Sequence, residues 1–478
     1  MLFNTLNFAI FLPIVLFLYW FLTAKNLKSQ NFLLLISSYF FYSCWDYRFL
    51  FLLIFSTALD YYSGIKIYES ITKKQKMFWL WLSIFINLGF LCVFKYYNFF
   101  IESFADAFSS FGMKSNVSTL NFILPVGISF YTFHGLSYII DIYKSRIEPE
   151  RNPIDYAVFV SFFPLLVAGP IERATHLLPQ IKKKRIFDDS NFIDGLKQIL
   201  WGLFKKVVIA DNCAVYVNLV FNDSTQYSGS TLVIGAVFFA FQIYGDFSGY
   251  SDIAIGTARL FGIDLLRNFA FPYFSRDIAE FWRRWHISLS SWFKDYVYIP
   301  LGGSKGSIWN QVRNVFVIFL LSGFWHGANL TFIFWGLLNA LYFLPLFLLK
   351  NNRNNIDIVA KNTFFPSLKE IFQMLTTFSL TVFAWIFFRA NSLEDAFLYI
   401  SGIFSYSLFS MPEELPRSRV LFILIFISIE WLGRKNEYAI SKLLSTNSIV
   451  LRWLFYYIII FAVLYFSSNN QQFIYFQF

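Results

Sequence analysis

The chain has 478 residues, of which 57% are hydrophobic and only 14% charged, with a formal net charge of +10. A water-soluble domain carries about 25% charged residues, so a purely aqueous protein is excluded. The mean hydropathy of +0.53 and the 65 phenylalanines suit helices packed against lipid. The basic excess needs no nucleic acid, because an anionic inner leaflet attracts it equally well.

Apolar runs over 7–23, 32–45, 49–66, 77–94, 119–142, 198–221, 231–246, 310–324, 331–349, 369–388, 418–433 and 450–467 are candidate membrane helices. A vertical helix crosses with about 20 residues, so the shorter runs are expected to tilt, break or re-enter, giving about eleven or twelve crossings. The fold class is therefore an all-α polytopic membrane protein. The first run has neither a basic leader nor a small-residue cleavage site, which predicts an uncleaved helix. Basic clusters follow the first and ninth runs (Lys25, Lys28; Lys350, Arg353, Lys361) and precede the fourth and last (Lys73, Lys74, Lys76; Arg434, Lys435, Lys442). Placing these and the dense Lys182–Arg185 cluster in the cytoplasm puts both termini outside. Cys44, Cys92 and Cys213 are isolated, with no metal or disulfide spacing, and are expected to be buried small hydrophobes.

Residues 1–118 and 369–467 read as plain hydrophobic helices, whereas 119–336 set Gly, Pro, Arg, Asp and His within apolar sequence. Membrane proteins keep such residues where they line a cavity or pathway, so the middle is the working part. Four polar islands carry it. In FFPLLVAGPIERATHLLPQIKKKR (162–185), Pro164 and Pro170 predict a helix break and a re-entrant turn over 157–168. Glu172 and Arg173 form either an ion pair at a helix entrance or part of a cavity lining. The KKKR run is a topology signal or, less favoured, a draw for a phosphate-bearing donor. In FQIYGDFSGYSDIAIG (241–256), Gly245 and Gly249 predict a close backbone approach or a break. Asp246 and Asp252 there could hold a metal ion, but hydrogen bonding to the arginines that follow is the preferred reading.

The third island, SRDIAEFWRRWHISLSSWFKDYVYIPLGG (275–303), spaces Asp277, Glu280 and Arg284 by three and four, so that they share a helix face and can pair. With Trp282, Trp285 and Trp292 added, it is expected at or inside the cytoplasmic boundary rather than crossing against lipid. The fourth is LLSGFWHGANLTFIFWG (320–336). His326 sits there in apolar sequence, as a packed core residue or as a group kept for proton chemistry. The four histidines show no metal-ligand spacing, and no GxSxG elbow is present.

Together with LPVGISFYTFHGLSYIIDIY and GLFKKVVIADN, these islands resemble the membrane-bound O-acyltransferase (MBOAT) family. The likeness is to the bacterial branch that O-acetylates alginate and other exopolysaccharides, and it covers 124–336 almost continuously. The resemblance implies a single membrane domain over 1–478: N-terminal helices to 118, a catalytic core over 119–336, and C-terminal helices and tail over 337–478. It implies a ring of about 11–12 tilted helices, with short or re-entrant ones around a thin central region. It places the family histidine on His326 and a second polar position on His286. Candidate substrate contacts are Asn329, Trp325, Arg283, Arg284, Gln242, Asp246 and Asp252. Two departures stand out: His134 lies where a glutamine is expected, and Gly245 where a larger residue is expected, which would widen the acyl chamber.

The implied chemistry is acyl transfer from a thioester to a hydroxyl, with acetyl-CoA as donor substrate and no resident cofactor. Burial keeps an imidazole neutral and competent as a base, which accounts for the apolar setting of His326. His286 or Asn329 would orient that ring or polarise the carbonyl. The implied partners are a polysaccharide acceptor, the lipid bilayer of the bacterial cytoplasmic membrane, and an extracytoplasmic SGNH-type protein, since no such domain is legible in the 478 residues. Two alternatives stay open: D-alanyl transfer from a carrier protein to teichoic acid, and a non-enzymatic polysaccharide export or assembly subunit. The charge-free end FIYFQF (473–478) is expected to fold back and bury Phe473, Phe476 and Phe478. Its F-x-Y-x-x-F pattern resembles a motif of envelope-acylating systems in which the tyrosine is an acyl relay, here Tyr475; the alternative is an aromatic membrane anchor.

Overall fold

The computed structural model describes residues 1–110, 124–443, 448–467 and 471–474, and every regular element among them is a helix. Among the described residues six helices are long and apolar enough to cross a membrane: Tyr47–Glu69, Lys73–Ala105, Gly229–Leu260, Leu330–Leu348, Leu368–Arg389 and Ile449–Phe466. The chain is thus an all-α, multi-pass membrane protein. The other apolar runs form shorter or more polar helices, such as Leu6–Leu22. Large apolar side chains that face outward, among them Phe51, Phe85 and Phe461, are those a bilayer would cover.

The chain divides into two compact units, residues 1–192 with 257–266, and residues 193–256 with 267–478. In the first, glycines let helices touch. A Cβ at Gly64 would sit 2.8 Å from the Tyr138 ring, and one at Gly135 would collide with the Asp60 carboxylate. Asp60 receives the Ser83 hydroxyl at 2.5 Å and the Asn87 amide at 2.8 Å, so a buried polar knot fastens Tyr47–Glu69 to Lys73–Leu91. The helix Pro153–Ser161 stops before Pro164 and gives way to turns, as a proline demands. Glu172 does not pair with Arg173. It is fully buried, holds His176 Nδ1 at 2.8 Å and accepts the Leu266 N–H at 2.6 Å, while its own N–H donates to His134 Nε2. The KKKR run also splits: Lys182 pairs with Glu150 at 2.9 Å, and Arg185 is buried against Asn31 and the Tyr19 ring.

The second unit is organised by two close helix pairs. Gly229–Leu260 runs unbroken through the island that a sequence count ends at residue 246. It presents Gly249 and Gly256 to Gly202 and Gly195, where added Cβ atoms would lie 2.5–2.9 Å from backbone oxygens or nitrogens. This is the small-residue packing that membrane helices use to approach. Ile308–His326 and Leu330–Leu348 form an antiparallel hairpin in which Gly323 and Gly336 each press on the other helix's backbone, at Phe332 O and Phe319 O. Of the cysteines only Cys213 is buried; Cys44 and Cys92 are exposed, because their positions face outward on outer helices.

Candidate active site

The order W-H-G-A-N is what turns this hairpin. His326 is the last residue of its helix, and Gly327 follows in an extended conformation. A side chain at Gly327 would strike the Phe332 ring, so glycine is required for the close approach. Asn329 then caps the next helix, accepting the Thr331 N–H at 3.0 Å while its amide donates to the Asn391 carbonyl at 2.8 Å. These bonds make Asn329 a structural cap, not an orienter of the histidine. The His326 ring is 5% exposed and is walled by Trp325, Trp335 and Phe388, with centroids 4.8, 5.2 and 5.2 Å away.

His286 lies between two seven-residue helices, Ile278–Arg284 and Ile287–Phe293, at φ 43°, in the left-handed region. The strain of that backbone is what aims the ring inward, a device found at functional sites. Its Nδ1 is 3.0 Å from Asn268 Oδ1, which also receives the Ser288 hydroxyl at 2.9 Å and the Ser288 N–H at 3.4 Å. A backbone N–H can only donate, so this Asn268 atom is an oxygen, and His286 Nδ1 must carry the proton. Nε2 is left as a bare lone pair, with no hydrogen-bond partner among the described residues. Burial pushes the His286 pKa down to about 3, since the cation is disfavoured away from water. With Nδ1 donating to Asn268, the Nε2 atom of neutral His286 can accept but not donate, which does not suit the expected polarisation of a carbonyl.

Both rings line one cavity of about 250 Å³. The Ile308–His326 helix gives it a stripe of Val315, Phe319, Ser322 and His326, about 16 Å long at 1.5 Å per residue. Ser290 and Lys294 continue the His286 side. The hairpin is antiparallel, with Phe343 5.8 Å from Phe319, so Phe347, Asn352 and Arg353 stand at the end away from His326. Lys294 and Arg353 are exposed. The result is an apolar shaft with two cations at its mouth and two neutral-capable imidazoles at its floor.

A family model, that of the membrane-bound O-acyltransferases (MBOAT), matches residues 147–359. The probable alginate O-acetylase AlgI of Pseudomonas aeruginosa is 38% identical over 84% of this chain and 75% of its own. The chain belongs to the MBOAT family. The peptidoglycan O-acetyltransferase of Helicobacter pylori is 38% identical over 84% of this chain and 80% of its own. The teichoic acid D-alanyltransferase of Bacillus subtilis is more distant, 32% identical over 46% of this chain and 58% of its own. Membership makes the protein an acyltransferase and sets aside the non-enzymatic export reading.

Within this MBOAT protein the other expected site residues take distinct places. Trp325 is buried between the histidines, 4.8 Å from His326 and 6.0 Å from His286. Arg283 donates to the Asn352 and Asn355 carbonyls at 2.8 Å each, which holds the loop bearing Arg353. Arg284 and Arg276 both pair with Glu280, at 2.8 and 3.0 Å. Asp277 does not join them: it caps the helix through the Glu280 N–H and accepts from Asn355. Asp246 and Asp252 do not brace the arginines either. They meet Lys206 at 2.7 Å and Lys205 at 2.6 Å, because their helix face packs on the widened π-helical stretch Phe204–Ala210 that carries both lysines. Gln242 is buried on the same helix, outside the cavity lining. Gly245 does not widen a chamber: a Cβ there would lie 3.0 Å from Lys205 O. Tyr475, Phe476 and Phe478 lie outside the described residues, but Phe473 is buried.

Asn268, Lys294 and Arg353 were not anticipated. Asn268 sits in an irregular segment where no periodicity marks it, and the two cations are separated by 59 positions in the chain. Arg353 read as part of a topology cluster, and Lys294 carried no signal of its own within the third island.

Proposed function

We propose that the protein is a membrane O-acetyltransferase that takes an acetyl group from cytoplasmic acetyl-CoA and passes it outward for O-acetylation of a cell-envelope or exported polysaccharide. It would lie in the bacterial cytoplasmic membrane with both termini outside and work with an extracytoplasmic SGNH-type partner. The observation that carries this reading is the shaft joining Lys294 and Arg353 to His326 and His286. A thioester carried on a long, thin, phosphate-bearing arm fits it: the phosphates meet the cations at the mouth and the acyl carbon reaches the floor. Relatives named as acetylating enzymes align over 84% of the chain, against 46% for the D-alanyltransferase, which favours acetyl over D-alanyl as cargo.

In this mechanism His326 takes the proton of the attacking hydroxyl, the oxygen bonds to the thioester carbon, and the C–S bond breaks. The proton then passes to the leaving thiolate. The lone pair on His286 Nε2 receives a hydrogen bond from donor or acceptor and so fixes its angle. Tyr475 is the proposed first acceptor, holding acetyl as an ester until the outer partner removes it. The test is complementation of a deletion strain. Wild-type protein restores ester-linked acetate on envelope glycans; His326→Ala accumulates in the membrane and does not. Near-normal acetate in that mutant overturns the reading, and loss of ester-linked D-alanine instead of acetate changes the cargo.

A further inference from the structure

The carboxylates displaced from the arginines lead to a second site. Lys206 Nζ lies 2.8 Å from Asp211 and 2.7 Å from Asp246, and all three side chains are more than nine-tenths buried. One lysine facing two carboxyl groups in an apolar interior leaves acceptor atoms unmatched, which is costly unless further donors reach them. The chain supplies them from its own C-terminal stretch. The Ile474 N–H donates to Asp246 Oδ2 at 2.7 Å, and Lys206 donates to the Gln471 carbonyl at 3.2 Å. One turn along from Asp246, the Tyr250 ring receives the Phe473 ring at 4.9 Å. Phe473 and Ile474 are 2% and 0% exposed.

We propose that Lys206, Asp211, Asp246 and Tyr250 form a buried receptor site for a short peptide segment, filled in this protein by Gln471–Ile474. Its polar contacts are to main-chain atoms: a carbonyl at the first position and an N–H at the fourth. The third position stacks its side chain on an aromatic shelf, and the fourth is buried beside it. Such a site fixes the register of the segment it holds. The proposal stands whether or not Tyr475 carries an acyl group.

The test uses the full chain with its three cysteines replaced and Ile474→Cys introduced, and measures alkylation by N-ethylmaleimide in native membranes. Ile474→Cys should react at least ten times more slowly than the same protein in detergent denaturant. Asp246→Leu and Lys206→Met should each release that protection. Phe473→Ala should release it too, and because this change leaves the charges in place it decides the matter if the charge variants do not accumulate. Gln471→Ala and Gln472→Ala should leave protection intact, since the main chain is what is read, and Asp252→Asn, which pairs elsewhere, should do the same. Fast alkylation without any of these changes, or protection that survives Phe473→Ala, overturns the site. Release by Gln471→Ala overturns main-chain reading.

Discussion

Along Gly229–Leu260, Asp246 and Asp252 are each matched by a lysine within 2.7 Å, whereas His286, in an equally apolar setting, keeps one ring nitrogen without a partner. Both regions bury ionisable groups inside one unit. In the lysine seam the charges meet opposite charges or main-chain donors, and the two helices close to glycine–glycine contact. In the shaft the imidazole is held on one side only, by Asn268, and its other side faces open volume. A buried polar group that is fully satisfied builds structure; one satisfied on a single side is available to a ligand.

The largest expected effects separate the two regions by readout. His326→Ala should reduce acyl transfer by about 10²–10⁴, the usual loss for a general base, while the purified protein keeps its thermal midpoint, because the removed ring borders an existing cavity. A matching fall in stability would move His326 into the structural class. Lys205→Met should do the reverse. It strands Asp252, leaving only the Gln198 amide at 2.9 Å, and removing one partner of a buried pair costs about 3–5 kcal/mol. Membrane yield and melting temperature should drop, and restoring neutrality with Asp252→Leu in the same chain should recover most of the loss. If Lys205→Met melts like the wild type, the seam is not structural.

A subtler effect concerns His286 and pH. Its folded pKa of about 3 lies below the unfolded value of about 6.5, so the unfolded chain binds more protons as pH falls. Stability from this group is complete above about pH 6.5 and is lost progressively towards pH 3, by about 2 kcal/mol at pH 5. His286→Gln should flatten the acid limb of the melting profile between pH 7 and 5. An unchanged limb would mean that the ring is hydrated and accepts a proton in place.

Much of this was legible from the chain and some was not, for physical reasons. WHGAN lies between the apolar runs 310–324 and 331–349, and one helix ends and the next begins there; the close approach that Gly327 permits was not legible. The family resemblance, not the spacing of RRWH, marked His286 as a second site position, and both imidazoles line one cavity. The partners of Asp246 and Asp252 were misassigned because the nearest arginines in sequence looked natural, while Lys205 and Lys206 lay inside an apolar run read as plain span. The same error truncated the Gly229–Leu260 helix: two carboxylates count against a membrane helix until their neutralising lysines, 40 or more positions away, are brought alongside. Lone residues in irregular segments, such as Asn268, carry no pattern to read.

The smallest expected effect bears on Asn329, the residue on which the two classes come closest. Its side chain caps Leu330–Leu348 and ties the turn to Asn391, directly after the candidate base. A cap of this kind contributes about 1 kcal/mol, so Asn329→Ala should lower the melting temperature by a few degrees, with a modest fall in transfer that follows the loss of folded protein. Asn329→Ser keeps an oxygen for the Thr331 N–H and loses the tie to Asn391. If Asn329 only shapes the turn, the serine variant should regain most of the stability and, with it, the specific activity per folded molecule. If Asn329 touches the reacting groups, stability should return and the rate should not, with the deficit in kcat rather than KM. That split would move Asn329 out of the satisfied class and into the shaft with His326 and His286.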